Sequence, residues 1–337
     1  GSILFFINNS LFSYVLFALS VYASDAAEFL SPLFLTVLIC LNYKKVWTNK
    51  TKHLLGLSIF TILLIPLFYV SVTNPLKHER SIKISTFYEG INSQSVNIFV
   101  SNYFSHFTTD FLFKNGDPNL RHGTGENGVI YWTLLPFILI GIAVCIKNIK
   151  NKYSILILFW LLIFPLGGSL TNDGVPHATR TIIGAPVFLL LTGIGFSYIH
   201  KKYYKYTSVI LFLIICSVYI EFSQFANIYF NKYSIKSQAW WEYGQAQIFS
   251  AIKKYTAGNE NLCLSNIEYW HEETLSKYYL GVQNNYIILY DLENPLCLSS
   301  TILVLPHDML PPNGYIYLES VLDLQAIPMW NIYRKSL

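Results

Sequence analysis

The stretch LLGLSIFTILLIPLFYVSV at residues 54–72 contains no charged side chain. At about 1.5 Å per helical residue it reaches close to 30 Å, the hydrocarbon thickness of a bilayer. Outward from it, blocks of the same kind occupy residues 129–146, 153–170, 181–199 and 207–225. Two shorter, more polar spans lie at residues 10–22 and 29–43. The pattern predicts about seven crossings. Composition agrees: of 337 residues, 53% are hydrophobic and 12% charged, against roughly 25% charged in soluble domains.

The net charge of +4 does not form a nucleic-acid patch, because the basic residues fall in short clusters between apolar spans. Lys44, Lys45, Lys50 and Lys52 form one cluster, Lys147, Lys150 and Lys152 a second, and Lys201, Lys202 and Lys205 a third, none with Asp or Glu. The alternate connections carry Asp25 and Glu28, the long segment 74–128, and Asp173 with Arg180. The positive-inside rule places the Lys-rich loops in the cytoplasm and the others outside, and it leaves the chain beyond about residue 227 outside as well. The expected fold is a polytopic α-helical protein of the cell membrane with a C-terminal extracytoplasmic α/β domain. Residues 1–226 are its transmembrane domain with the outer loop 74–128, and residues 227–337 are the outer domain.

Within the outer domain, Trp241, Ile248, Ile252 and Tyr255 have helical spacing, and Gly258 reads as a stop. The apolar run 262–264, a helix over 268–279 ending before Gly281, and strand-forming runs at 286–290, 301–305 and 315–318 complete the expected order. Cys40, Cys145 and Cys216 fall in apolar spans as small apolar side chains. Cys263 and Cys297 share the outer domain, where a disulfide and two buried thiols are both compatible with the spacing. The chain opens Gly-Ser-Ile, with neither a basic leader nor a cleavage site, and reads as part of a longer protein.

No CxxC, HExxH, P-loop or GxGxxG occurs, so no metal site is assigned from spacing. Three polar clusters remain. In the first, His106 and Asp110 stand four apart in an aromatic stretch and would share one face of a surface-lying helix; a Gly-rich run with Asp117, Arg121, His122 and Glu126 follows. A solvated connector is the plain alternative. In the second, His177 and Arg180 precede an apolar span, where an Arg either snorkels to headgroups or grips a lipid phosphate through its bidentate fork. The third is Asp25 with Glu28, read either as helix-end residues or as base or metal ligands.

The FLF and GDPNLRH elements within residues 104–131 resemble those of the polyprenyl-phosphate-dependent membrane glycosyltransferases of the GT-C superfamily, in particular bacterial relatives of protein O-mannosyltransferases and of the lipid A aminoarabinose transferase. The segment Pro176-His177-Ala178-Thr179-Arg180, with Pro186, resembles the family's PHALR segment, with Thr179 in place of Leu. Residues 20–33 resemble a further segment, with Glu28 where Arg is common. The resemblance implies transfer of a sugar from a lipid-linked polyprenyl-phosphate donor, among membrane lipids, to an extracytoplasmic acceptor. It implies that Arg180 and His177, then Arg121 and His122, bind the lipid phosphate, with Asp117, Glu126, His106, Asp110, Asp25 and Glu28 in supporting places. It also implies that the catalytic carboxylate lies in a first outer loop this chain does not contain, so the chain would be the C-terminal part of an enzyme. No cofactor is assigned, and a divalent metal is left open. A transporter or flippase, and a non-catalytic membrane assembly protein with an outer binding domain, are the competing readings.

Overall fold

A computed structural model of the chain describes residues 10–74, 82–256, 261–264, 278–280, 287–289, 297 and 300–336, together with Ile3, Phe6 and Asn8. It divides into two compact units, Gly1–Ile228 and Tyr229–Leu337.

The first unit is helical. Its main helices are α1 (Phe12–Ala23), α2 (Asp25–Leu41), α3 (Lys50–Thr73), α4 (Ser93–Ser105), α5 (Leu135–Lys147), α6 (Lys152–Ile163), α7 (Gly184–Lys202) and α8 (Thr207–Ile228). A helix therefore occupies each apolar block of the sequence. Among the described residues, three helical stretches are long and apolar enough to cross a membrane: Lys50–Thr73, Lys152–Ser169 and Tyr204–Trp241. Helix α8 buries none of its residues, and Phe212, Ile215 and Tyr219 are each more than half exposed. Its one acidic residue serves α5, since the Glu221 carboxylate accepts from the backbone N–H of Thr133 at 2.9 Å and from its hydroxyl at 2.7 Å. A carboxylate there satisfies a donor at the helix entrance and complements the positive end of the dipole.

Two apolar clusters hold this unit together. Tyr14, Phe17, Leu30, Phe34, Leu38 and Phe60 pack α1, α2 and α3 against α6. Phe111, Phe113, Ile138, Phe164, Val187 and Leu191 pack α5, α6 and α7 around the chain at residues 111–113. Helices α5 and α7 approach backbone to backbone, because Gly141 faces the Leu191 carbonyl and Gly195 the Phe137 carbonyl with no room for a Cβ. Two Lys-bearing connections meet at one end, where the Lys152 ammonium donates to the Asn42 side-chain oxygen at 2.8 Å.

The structure departs from sequence expectation at two places here. Helix α5 starts at Leu135, after a 3-10 turn at Trp132–Leu134, and not at residue 129. The Val129 and Ile130 N–H groups instead donate to the Phe111 and Leu112 carbonyls, at 3.3 and 2.8 Å. The expected helix carrying both His106 and Asp110 is broken. A capping box of Asn92 with Ser95 starts α4 earlier, α4 ends at Ser105, and a separate π turn runs Asp110–Lys114.

The second unit is a five-stranded mixed sheet in the order β2-β1-β3-β5-β4. The strands are β1 (Asn261–Leu264), β2 (Ile287–Leu289), β3 (Ile302–Pro306), β4 (Tyr315–Leu322) and β5 (Pro328–Lys335). β1 pairs in parallel with β2 and β3, and β5 pairs antiparallel with β3 and β4. Helix α9 (Gln245–Tyr255) packs Ile248 and Ile252 with Leu262, Leu264, Ile302 and Val304. Cys263, Leu303, Leu305 and Tyr333 form a second cluster, as alternation along a strand requires. Cys263 and Cys297 are joined as a disulfide, with Cα atoms 5.1 Å apart. Strand β5 was not expected. It follows a turn in which Asp323 Oδ1 accepts from the Gln325 and Ile327 N–H groups, at 2.7 and 2.8 Å. The helix expected over 240–255 starts at Gln245 because Glu242 and Gly244 hold left-handed backbone. The stop at Gly258 and all but the last two residues of the helix expected over 268–279 lie outside the described residues.

Candidate functional site

Two segments of the first unit supply a site, and each is built by short-range bonds. Gly116, at φ +76°, turns the chain into the polar run, and Asp117 follows it. Its Oδ1 accepts the Asn119 N–H at 2.8 Å, closing an Asx turn, and its Oδ2 accepts the Ala178 N–H at 2.7 Å. This second bond joins the 116–128 loop to the 171–180 segment. That segment is anchored from its other side: Ser85 and Thr171 form an antiparallel bridge, and the Asn102 amide donates to the Thr171 carbonyl at 3.2 Å.

His106 is fully buried beneath the site. Its Nδ1 lies 2.7 Å from the Asn102 carbonyl, which can only accept, so this nitrogen carries the proton. Nε2 then accepts the His177 N–H at 3.0 Å. Gly168 is pressed against the same imidazole, leaving no space for a side chain. Burial is the main cause holding the His106 pKa below its ordinary value; the Asn102 bond and the Asp117 charge oppose it.

His122 Nδ1 lies 3.1 Å from Asp117 Oδ2, and His177 Nδ1 lies 3.8 Å from the same oxygen. The two imidazoles lie against each other with centroids 4.4 Å apart, their planes tilted by 32°. Asp117 is 1% exposed, so its carboxylate is a buried charge facing two imidazoles. The His177 pKa is lowered to about 3, first by burial and then by the charges of Arg180 and His122. Arg180 donates to the Thr171 hydroxyl at 2.5 Å, to the Asp173 carbonyl at 3.0 Å and to the Asp173 carboxylate at 3.3 Å. These bonds use three of the guanidinium's five N–H groups.

A cavity of about 560 Å³ opens over these groups. Arg121, His122, His177 and Arg180, the four residues singled out as phosphate-binding, all line it, and Ser24, Ala26 and Phe29 from the α1–α2 turn close its other side. Asp117 lies behind His122, and His106 behind His177. The remaining supporting residues are placed elsewhere. Asp110 is exposed and accepts from the Asn115 amide at 2.7 Å, while Glu126 and Glu28 are exposed and not among the lining residues. Asp25 begins α2, and its side chain lies outside the described residues. Sequence reasoning missed Asn102, Asn119 and Thr171, polar residues without charge that give no signal until the fold closes around them. Asp117, His122 and His177 are a group of donors able to hold a metal ion. No protein-family model, no curated protein and no solved structure matches this chain.

Proposed function

We propose that the chain is part of a membrane glycosyltransferase that moves a sugar from a polyprenyl-phosphate donor to an extracytoplasmic acceptor. One observation carries this reading: Arg121 with His122, and His177 with Arg180, come from distant segments yet line one cavity with a turn between two apolar helices. Two guanidinium groups and two imidazoles converging on a single space suit a phosphate, which guanidinium recognises with paired hydrogen bonds. In the reaction the acceptor oxygen forms a bond to the anomeric carbon as the bond from that carbon to the lipid phosphate breaks. The electron pair leaves on the phosphate, and a general base takes the acceptor proton. Arg180 and Arg121 stabilise the departing charge, and Asp117 orients His122 at the cavity wall.

The proposed membrane arrangement has seven crossings, the cavity outside and the Lys-rich loops in the cytoplasm. It is supported by the positive-inside pattern, by the apolar surface of α8, and by the Lys152–Asn42 contact that brings two Lys-rich connections to one end. The Cys263–Cys297 disulfide suits an oxidising compartment and so an extracytoplasmic second unit.

Binding of undecaprenyl phosphate to the detergent-purified protein tests the reading. Charge-assisted hydrogen bonds contribute about 1.5 to 3 kcal/mol each, and about 1.4 kcal/mol is one decade in affinity. Arg180→Lys is expected to weaken binding by about tenfold or more, and transfer from a polyprenyl-phosphate hexose in membranes to fall with it. Equal affinity for undecaprenol, which lacks the phosphate, would refute the proposal.

A further inference from the structure

Asp117, His122 and His177 present one carboxylate oxygen and two imidazole nitrogens, all within 4.8 Å of one another. A tetrahedral ion about 2.0 to 2.2 Å from nitrogen and oxygen donors sets those donors roughly 3.3 to 3.5 Å apart. The separations from Asp117 Oδ2, 3.1 Å to His122 Nδ1 and 3.8 Å to His177 Nδ1, fall on either side of that range. Those two separations are close to ligating distance, and all three donor pairs lie within 4.8 Å.

Two of the three donors are also held by further partners, as metal ligands characteristically are. The Asn119 and Ala178 N–H groups hold the Asp117 carboxylate from both oxygens, at 2.8 and 2.7 Å. The backbone of His177 is held by His106 at 3.0 Å. The Thr179 hydroxyl and the Arg180 N–H contact His177 Nδ1 at 3.1 and 3.4 Å, and an ion taking that nitrogen displaces two long contacts only. Arg180, whose charge acts on His177, is itself paired with the Asp173 carboxylate at 3.3 Å.

Charge gives an independent reason. The Asp117 side chain is buried, and the two imidazoles facing it have centroids 4.4 Å apart. A divalent ion uses the lone pairs of two neutral rings and balances the carboxylate at once. His122 and His177 both line the cavity, so a three-ligand site leaves its remaining position facing that space.

We propose that Asp117, His122 and His177 bind a divalent transition-metal ion, zinc by preference for a donor set of two imidazoles and one carboxylate, with an open coordination position directed into the cavity. There it takes a water or an oxygen of an anionic ligand. Local spacing hides the site because His177 comes from a different segment from Asp117 and His122. The site stands on its own donors and does not depend on the glycosyl-transfer reading.

The test needs no substrate. Detergent-purified protein is stripped with a chelator, dialysed against zinc and weighed for metal by plasma mass spectrometry, with cobalt as a spectroscopic substitute. About one zinc per chain and visible d–d bands of a low-coordinate cobalt complex are expected. His122→Gln and Asp117→Asn should each lower zinc affinity at least tenfold and abolish the cobalt bands, and Asp110→Asn should change neither. His122 is the most informative position, since its side chain is 20% exposed and its replacement leaves the Asp117–Ala178 bond in place. Substoichiometric zinc in the parent protein would overturn the proposal. So would unchanged affinity in His122→Gln, or magnesium displacing zinc at equal concentration.

Discussion

The His106 imidazole accepts the backbone N–H of His177 across 71 residues of sequence, at 3.0 Å. The end of α4 thus sets the position of a cavity residue in a distant segment. The contact needs His106 neutral with its proton on Nδ1, because a protonated ring has no lone pair to offer.

His106→Phe keeps the bulk but leaves the His177 N–H without its acceptor, while the Asn102 carbonyl keeps the Ser105 hydroxyl at 2.7 Å. Burying an unsatisfied polar group costs about 1 to 3 kcal/mol. The thermal midpoint of the first unit in detergent should fall accordingly, and His106→Gln, which retains an acceptor, should recover part of the loss. An unchanged midpoint in His106→Phe would mean that the bond contributes nothing.

The same contact gives a pH dependence in metal-free protein. Burial depresses the folded-state pKa of His106, and that of His177 to about 3. The unfolded chain takes these protons near 6.5 while the folded chain resists them, so it binds more protons. Stability is therefore complete above about pH 6.5 and declines as pH falls through it, for His177 down to about 3. Thermal midpoints measured on chelator-treated protein from about pH 7 to pH 5 should decrease, and a flat profile would count against neutral burial of these rings.

Gly195 and Gly193 offer a paired comparison on one helix. A Cβ at Gly195 collides with the Phe137 carbonyl oxygen, whereas nothing lies within 4 Å of one at Gly193. Gly195→Ala forces α5 and α7 apart and should cost about 1 to 3 kcal/mol. Gly193→Ala should be neutral or stabilise by up to about 1 kcal/mol through helix propensity. Equal midpoints for the two variants would rule out the close approach of these helices.

Most helices were legible because an apolar block long enough for a bilayer leaves the chain few alternatives. Their boundaries were not, where hydrogen bonds overrode composition: Val129 and Ile130 are apolar, yet their N–H groups are taken by the 111–112 carbonyls. Strand β5 was hidden because Pro328 opens it and it ends in Arg334 and Lys335, although Trp330 and Ile332 keep the alternation. The charged members of the cavity were visible as residue types. What could not be read was that Asp117 would bond the Ala178 N–H and so bring His122 to His177, since no local spacing encodes a contact of 61 residues' separation.

The proposed topology makes a labelling prediction. In a background with Cys40, Cys145 and Cys216 replaced, cysteines at Lys45, Lys150 and Lys202 should be shielded from a membrane-impermeant thiol reagent in intact cells, while those at Asn119 and Asn313 should react. The reverse pattern would turn the protein over and take the cavity with it.

The pairing of Arg180 with Asp173 also bears on selectivity. A carboxylate already occupies part of the guanidinium, so an incoming anion must outcompete it or share it. A phosphomonoester such as the released lipid phosphate, near two negative charges, competes far better than the phosphodiester donor, a carboxylate or a sulfate ester, each bearing one. The loop at residues 171–174 then becomes a reporter: an anion that takes Arg180 from Asp173 breaks the ion pair that ties this loop to the cavity wall, so that filling the cavity and changing its rim are one event.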